Sequence, residues 1–254
     1  METKLDSYHR PVTGRNILRF ALPTIVMTVF NTFYTMVDGL FVSNLIGTAA
    51  LSAINLTAPA IGLITAVSGM LATGGSAVVM KQMGEGRERE ARQNFTLLIL
   101  TNAAVGAVMM ALGYGLMDPL LGAMGLSEEV FGYCHAYLSD YLVFTIPILL
   151  MYNFSLYLIA ADRSRLSLVC TVAGGVTNIL LDYGLIALAG LGIRGAAIAT
   201  GLGYSITAVV GFLVFCRKGS LLHFQKPVFR GGVLFHASGN GLSELATSMV
   251  SGIP

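Results

Sequence analysis

The sequence is poor in charge and has no tryptophan. Only 11% of its 254 residues are charged, against roughly 25% in ordinary soluble domains, and 55% are hydrophobic. A soluble fold of this size could not cover its surface with so few charges, and a mean hydropathy of +0.74 agrees. A soluble enzyme is therefore excluded. The three cysteines (Cys134, Cys170 and Cys216) have neither metal-site nor CxxC spacing and read as small buried hydrophobes. The four histidines form no HExxH. No cofactor and no nucleic acid partner are expected. A cleavable signal peptide is not evident either, because the first apolar run is too long and lacks a cleavage site. That run should stay as a membrane span.

Long apolar runs are plentiful. A membrane helix needs ~20 mostly apolar residues, and six stretches qualify: about 17–46, 51–80, 94–117, 131–160, 168–189 and 195–216. A seventh begins near Gly232 and is still under way at Pro254. The expected fold class is all-α, a polytopic membrane helical bundle of six transmembrane helices plus an incomplete seventh. The expected organisation is an N-terminal arm (1–16), a six-helix lobe (17–216), a linker (217–231) and the start of the seventh helix (232–254). The chain reads as a fragment; a short re-entrant C-terminal segment is the alternative.

Basic residues orient the bundle, because translocated loops tend to lack Lys and Arg. Lys4, Arg10, Arg15 and Arg19 precede or open the first span, and Lys81, Arg87, Arg89 and Arg92 lie between the second and third. Arg163 and Arg165 follow the fourth span, and Arg217, Lys218, Lys226 and Arg230 follow the sixth. Of the 15 basic residues only Arg194 falls on the other side. The N-terminus should be cytoplasmic, in a prokaryotic inner membrane.

Packing signals point the same way. Gly195, Ala199, Gly203, Thr207 and Gly211 recur every fourth residue on the sixth span, a stripe that lets helices approach closely in lipid. Pro23, Pro59 and Pro147 each remove a backbone donor inside a span and should kink it, with Pro23 a candidate hinge. Gly190, Gly192 and Gly195 fit GxGxxG, but the dinucleotide reading needs a preceding strand and an acid about 20 residues on. No Asp or Glu lies between Asp182 and Glu244. A tight turn explains these glycines.

The informative residues are ionisable groups inside spans. An acid near the bilayer centre costs at least ~2.5–3.5 kcal/mol on insertion scales, so it should face protein or water. Asp38 lies in span one, Asp182 in span five and Glu244 in span seven, with Asp140 nearer the end of span four. Asp38 is eight residues from its outer span end, roughly 12 Å at the α-helical rise. Asp182 is seven residues in, with Asn178 one turn deeper on the same face. Thr200 is five residues into span six, and Tyr137 six residues past Phe131 on span four. Four spans thus bring polar groups to one layer of the outer half. Two carboxylates among amide, hydroxyl and phenol oxygens suit a small hard cation, and equally a proton shared between them. The alternative is that each acid is satisfied by nearby backbone and only fixes helix packing. On span seven His236, Asn240, Glu244 and Ser248 form one polar stripe, which should face the bundle interior or a water-filled cavity. It lines either a substrate path or a helix interface.

At these residues the sequence resembles the multidrug and toxic compound extrusion (MATE) family, in its DinF-like and bacterial multidrug branches. The resemblance runs from about Gly14 onward. It is carried by Ile17-Leu-Arg-Phe-Ala-Leu-Pro23, Met36-Val-Asp-Gly-Leu-Phe-Val42, Asn178-Ile-Leu-Leu-Asp182 and Gly192-Ile-Arg-Gly-Ala-Ala-Ile-Ala-Thr200. It implies half of a twelve-helix, two-lobe transporter working by alternating access with sodium or proton antiport. The implied cation site is Asp38, Asn178, Asp182, Thr200 and Tyr137, the first four being metal ligands if the ion is sodium. Glu244, with Asn240, resembles a second coupling acid on the seventh helix.

The expected function is therefore not enzymatic. It is cation-coupled export of amphipathic cationic drugs by a protein that is monomeric at full length and requires the C-terminal lobe. Two rival readings each require a feature of their own. A lipid-linked precursor flippase would need a cavity with several Arg or Lys, and none lies well within a span. An intramembrane aspartyl protease using Asp38 and Asp182 would need a GxGD run, whereas Ile179-Leu-Leu181 precedes Asp182.

Overall fold

The structure is a computed structural model that describes residues 14–217 and 219–251, with the side chains of residues 14–21, 23–24 and 248–251 outside the description. The elements run α1 (Gly14–Leu45), α2 (Thr48–Gly84), α3 (Glu88–Ala123), α4 (Glu128–Val143), α5 (Thr145–Ala160), α6 (Ser164–Asp182), a π-helical segment (Tyr183–Leu188), α7 (Ile193–Cys216) and α8 (Gly231–Ser251). The all-helical expectation holds. Five of these helices are long and apolar enough to cross a membrane, and the bent α4–α5 pair makes a sixth. Among the described residues α8 is not one of them, its apolar run being interrupted by His236, Asn240 and Glu244.

Local chemistry sets the helix ends. Gly47, Gly86 and Gly125 turn the chain with positive φ, as Gly190 and Gly192 do between the π segment and α7. The GxGxxG string is thus a tight turn. The Ser127 hydroxyl accepts from the Val130 amide at 3.5 Å to cap α4, whose first turn carries Glu128 and Glu129 at the positive end of the helix dipole.

The fourth expected span is two helices bent by 55° at Phe144. Pro147 explains the place: it has no N–H to give the carbonyl of Val143, the last residue of α4. Pro59, in contrast, sits inside α2, which continues to Gly84 without a break. The α1 backbone is helical past Pro23, whose side chain lies outside the described ones. The fifth expected span changes from α to π immediately after Asp182.

The small-residue stripe on α7 is buried throughout. A Cβ on Gly203 would lie 2.8 Å from the Gly174 carbonyl, so α6 and α7 touch backbone to backbone. The same device brings α8 onto α2. A Cβ on Gly74 would overlap the Ala237 carbonyl, and one on Gly241 the Met70 carbonyl.

Two apolar clusters make the core. One centres on Val42, Tyr137, Tyr141 and Ile148 beside the acid layer. The other surrounds Phe95, Phe154, Tyr157 and Phe215, and it takes in Leu222 and Phe224 from the segment between α7 and α8. That segment is docked on the bundle: Gln225 N donates to Thr96 Oγ1 at 3.0 Å, and Arg92 Nε donates to the Leu221 carbonyl at 3.1 Å. Outside the core, Val29, Phe33, Met36, Leu40 and Leu180 are all more than half exposed, an apolar belt that suits lipid. Cys134 and Cys170 are buried, but Cys216 is exposed at the end of α7 and is not a core hydrophobe. Near Gly190, Arg194 at the start of α7 grips Asp140 of α4 with two hydrogen bonds, 2.7 and 3.1 Å.

Candidate functional site

Five residues expected in one layer converge from four spans. Asp38 comes from α1, Tyr137 from α4, Asn178 and Asp182 from α6, and Thr200 from α7. The carboxyl groups of Asp38 and Asp182 lie within hydrogen-bonding reach of each other. Tyr137 is buried within electrostatic reach of both. The Asn178 side-chain amide donates to Thr200 Oγ1 at 3.3 Å, a bond across the α6–α7 contact. Gly174 and Gly203 make that bond possible, since larger residues there would push the helices apart.

The oxygens of this site are rich in lone pairs and poor in donors. With both acids ionised, Asp38 Oδ1, Asn178 Oδ1 and both carboxylate oxygens of Asp182 are buried with no donor. Unpaired buried acceptors are destabilising by about 1–3 kcal/mol each, more when charged. A positive charge placed among them, as a proton or a small hard cation, would remove that penalty. Two carboxylates are few for a multivalent metal. Among the described residues no group of three or more His, Cys, Asp or Glu could hold one.

One cavity adjoins the layer, and a second shares lining with the first. A small pocket of about 40 Å³ touches Asn178, Thr200, Gly174 and Tyr34, with room for a few water molecules. A larger cavity of about 490 Å³ is bounded by α1, α2, α5, α6, α7 and α8. Its walls include Met27, Met151, Thr65 and Tyr152, and among the described residues Glu244 is the one charged residue lining it. Glu244 leans over Gly69 of α2, where its Cγ would lie 3.4 Å from an added Cβ. Asn240 and His236, one and two turns before Glu244 on α8, are exposed, and neither lines this cavity. The side chain of Ser248 lies outside the described ones.

Asn31, Met151, Thr171 and Tyr204 line both cavities. Of these Tyr204 is bonded across the bundle, its hydroxyl accepting from the Tyr34 hydroxyl at 3.1 Å. Sequence reasoning passed over both tyrosines. Their spacing was the available signal: Tyr34 is four residues before Asp38 and Tyr204 four after Thr200, one helical turn in each case.

A model of the family described as MatE matches residues 23–184, well over half of the chain. The chain belongs to the MatE family. The MatE chain is 22% identical over 209 residues to the multidrug export protein MepA of Staphylococcus haemolyticus, covering 82% of this chain and 46% of that protein. It is 27% identical over 216 residues to the FAD transporter of Shewanella oneidensis, covering 82% and 47%. It thus spans about half the length of these relatives, both of which are transporters. Among solved structures, the outward-facing conformation of a multidrug resistance MATE family transporter of the MOP superfamily matches with a TM-score of 0.85 at 22% identity, over 91% of this chain and 52% of that one. A MOP superfamily transporter from Pyrococcus furiosus matches equally well, with a TM-score of 0.85 at 22% identity over 91% and 52%. These likenesses bear out the fold of a MATE N-terminal lobe.

Proposed function

We infer that this MatE chain is the N-terminal lobe, with the opening of the second, of a cation-coupled antiporter that exports amphipathic cationic organic compounds by alternating access. The observation that carries the reading is the cluster of four buried acceptor oxygens, on Asp38, Asn178 and Asp182, that have no donor. Such a cluster favours a state in which a proton or a sodium ion sits among them. Thr200 holds Asn178 in place, and the Tyr137 phenol supplies a further oxygen near the acids. For sodium the ligands would come from Asp38, Asn178, Asp182 and Thr200. An ion can drive transport only if it binds the inward- and outward-open states unequally. The pair supplies a basis for that, because Asp38 and Asp182 sit on different helices and any movement of α1 against α6 changes their separation.

The larger cavity supports a cationic substrate. Among the described residues its lining has one carboxylate, Glu244, no Lys or Arg, and otherwise methionine, threonine and tyrosine with Asn31, Leu156, Ile159 and small groups. Methionine and aromatic walls fit varied apolar shapes, and a lone acid attracts a monocation. That lining disfavours an anionic cargo, whether a dinucleotide or a lipid-linked pyrophosphate. Glu244 serves either as the substrate's counter-charge or as a second coupling acid. The protein would lie in a prokaryotic cell membrane with its N-terminus cytoplasmic, as a monomer completed by a second lobe.

The test uses the full-length protein in proteoliposomes with sodium and pH gradients imposed separately. Transport of an amphipathic cation should follow one gradient. Asp38→Asn and Asp182→Asn, at normal membrane levels, should abolish transport against a gradient. If both variants still pump, the mechanism is wrong.

A further inference from the structure

The coupling acids and the larger cavity are separate places, and a transporter needs a physical link between them. The Tyr34 and Tyr204 hydroxyls stand between the two. Tyr34 lies one turn from Asp38 on α1, and Tyr204 one turn from Thr200 on α7, so the same two helix faces carry an ion-site residue and a tyrosine. The hydroxyls bond to each other at 3.1 Å. Tyr34 is buried, 6% exposed, and lies within electrostatic reach of Asp38. Its ring is held in place by Gly175 of α6, where an added Cβ would come within 3.1 Å of it. Tyr204 alone of the pair also lines the larger cavity.

We propose that the Tyr34–Tyr204 hydroxyl bond is the coupling element between substrate cavity and ion site, with Tyr204 the positioning residue that senses the substrate. This rests on the ion-site reading given above. With the cavity empty, the bond ties α1 to α7 one turn from the acids and holds Asp38 against Asp182. A bulky apolar cation entering the cavity presses on Tyr204 and breaks the bond. The α1 helix is then free to carry Asp38 away from Asp182, which loosens the bound ion. By reciprocity the ion, by drawing the acids together, re-forms the bond and weakens substrate binding.

The experiment measures the affinity of the full-length protein for its coupling cation, with and without saturating tetraphenylphosphonium, a bulky apolar monocation. In the unaltered protein tetraphenylphosphonium should weaken the cation about tenfold, within the usual range of such couplings. Tyr204→Phe keeps the ring and loses only the hydroxyl. With the bond already gone, it should bind the coupling cation about tenfold more weakly than the parent even without tetraphenylphosphonium, show no further weakening when tetraphenylphosphonium is added, and lose gradient-driven transport. Tyr34→Phe should do the same, and the double variant should be no worse than either, because all three remove one bond. A Tyr204→Phe protein that keeps the substrate effect on cation affinity overturns the proposal. So does one that loses tetraphenylphosphonium binding outright, since the hydroxyl would then be a substrate contact. If the unaltered protein binds no coupling cation, or if Asp38→Asn leaves that binding intact, the ion-site reading fails first, which is a distinct result.

Discussion

The Asn178 side chain spends its N–H on Thr200 Oγ1, 3.3 Å away, and leaves its carbonyl oxygen buried with no donor beside the equally donorless Asp182. A hydroxyl can accept from an amide N–H or donate to an amide carbonyl; here Thr200 accepts, and the bond ties Asn178 across the α6–α7 contact.

Replacing Thr200 by valine keeps the side-chain shape and removes that bond. A hydrogen bond of this kind contributes about 0.5–1.5 kcal/mol, so the cation concentration for half-maximal transport should rise about three- to tenfold. Thr200→Ser, which retains the hydroxyl, should stay near the parent value. A Thr200→Val protein with unchanged cation dependence would place Asn178 outside the ion site.

Much of this was legible in the chain before its structure. The spans were, because lipid forces a run of apolar residues for every crossing. The approach of Asp38, Asp182 and Tyr137 was too, since each sits a countable number of residues from a span end. The π segment after Asp182 was not, since a change from i−4 to i−5 bonding leaves no mark on composition. Pro147 announced a kink in the fourth span, but the sequence did not say that the helix would end there while α2 stays helical through Pro59. Nor could the sequence place residues 219–230, whose docking depends on a groove built by α3, α5 and α7.

That docking gives a second prediction. Leu222 is fully buried, and Phe224 stacks on Phe95 with ring centroids 5.3 Å apart. Leu222→Ala should destabilise the lobe by about 2–3 kcal/mol, the lower part of the range for buried leucines. Phe229→Ala, at a position 79% exposed, should have almost no effect. Thermal unfolding in detergent separates the two. Equal melting temperatures would mean that the segment is an undocked tether.

The α2–α8 crossing depends on glycine in the same testable way. A Cβ on Gly241 would overlap the Met70 carbonyl, whereas one on Gly239, two residues earlier, meets nothing within 4 Å. Gly241→Leu should therefore pry α8 off α2 and lower the melting temperature by several degrees. Gly239→Leu should leave it unchanged. If both variants melt together with the parent, the two helices do not pack as described.

The ion pair between Arg194 and Asp140 is unequal: the arginine side chain is 61% exposed and the aspartate only 15%. The carboxylate has little water to fall back on. Arg194→Gln should leave Asp140 desolvated and unpaired, and so destabilise α4 against α7 more than Asp140→Asn does. Adding Asp140→Asn to Arg194→Gln should then recover part of the lost melting temperature, because a neutral amide tolerates that position without a cation. A double-mutant cycle with no recovery would show that Arg194 acts by covering apolar surface with its stem, and that the charge of Asp140 is solvated without it.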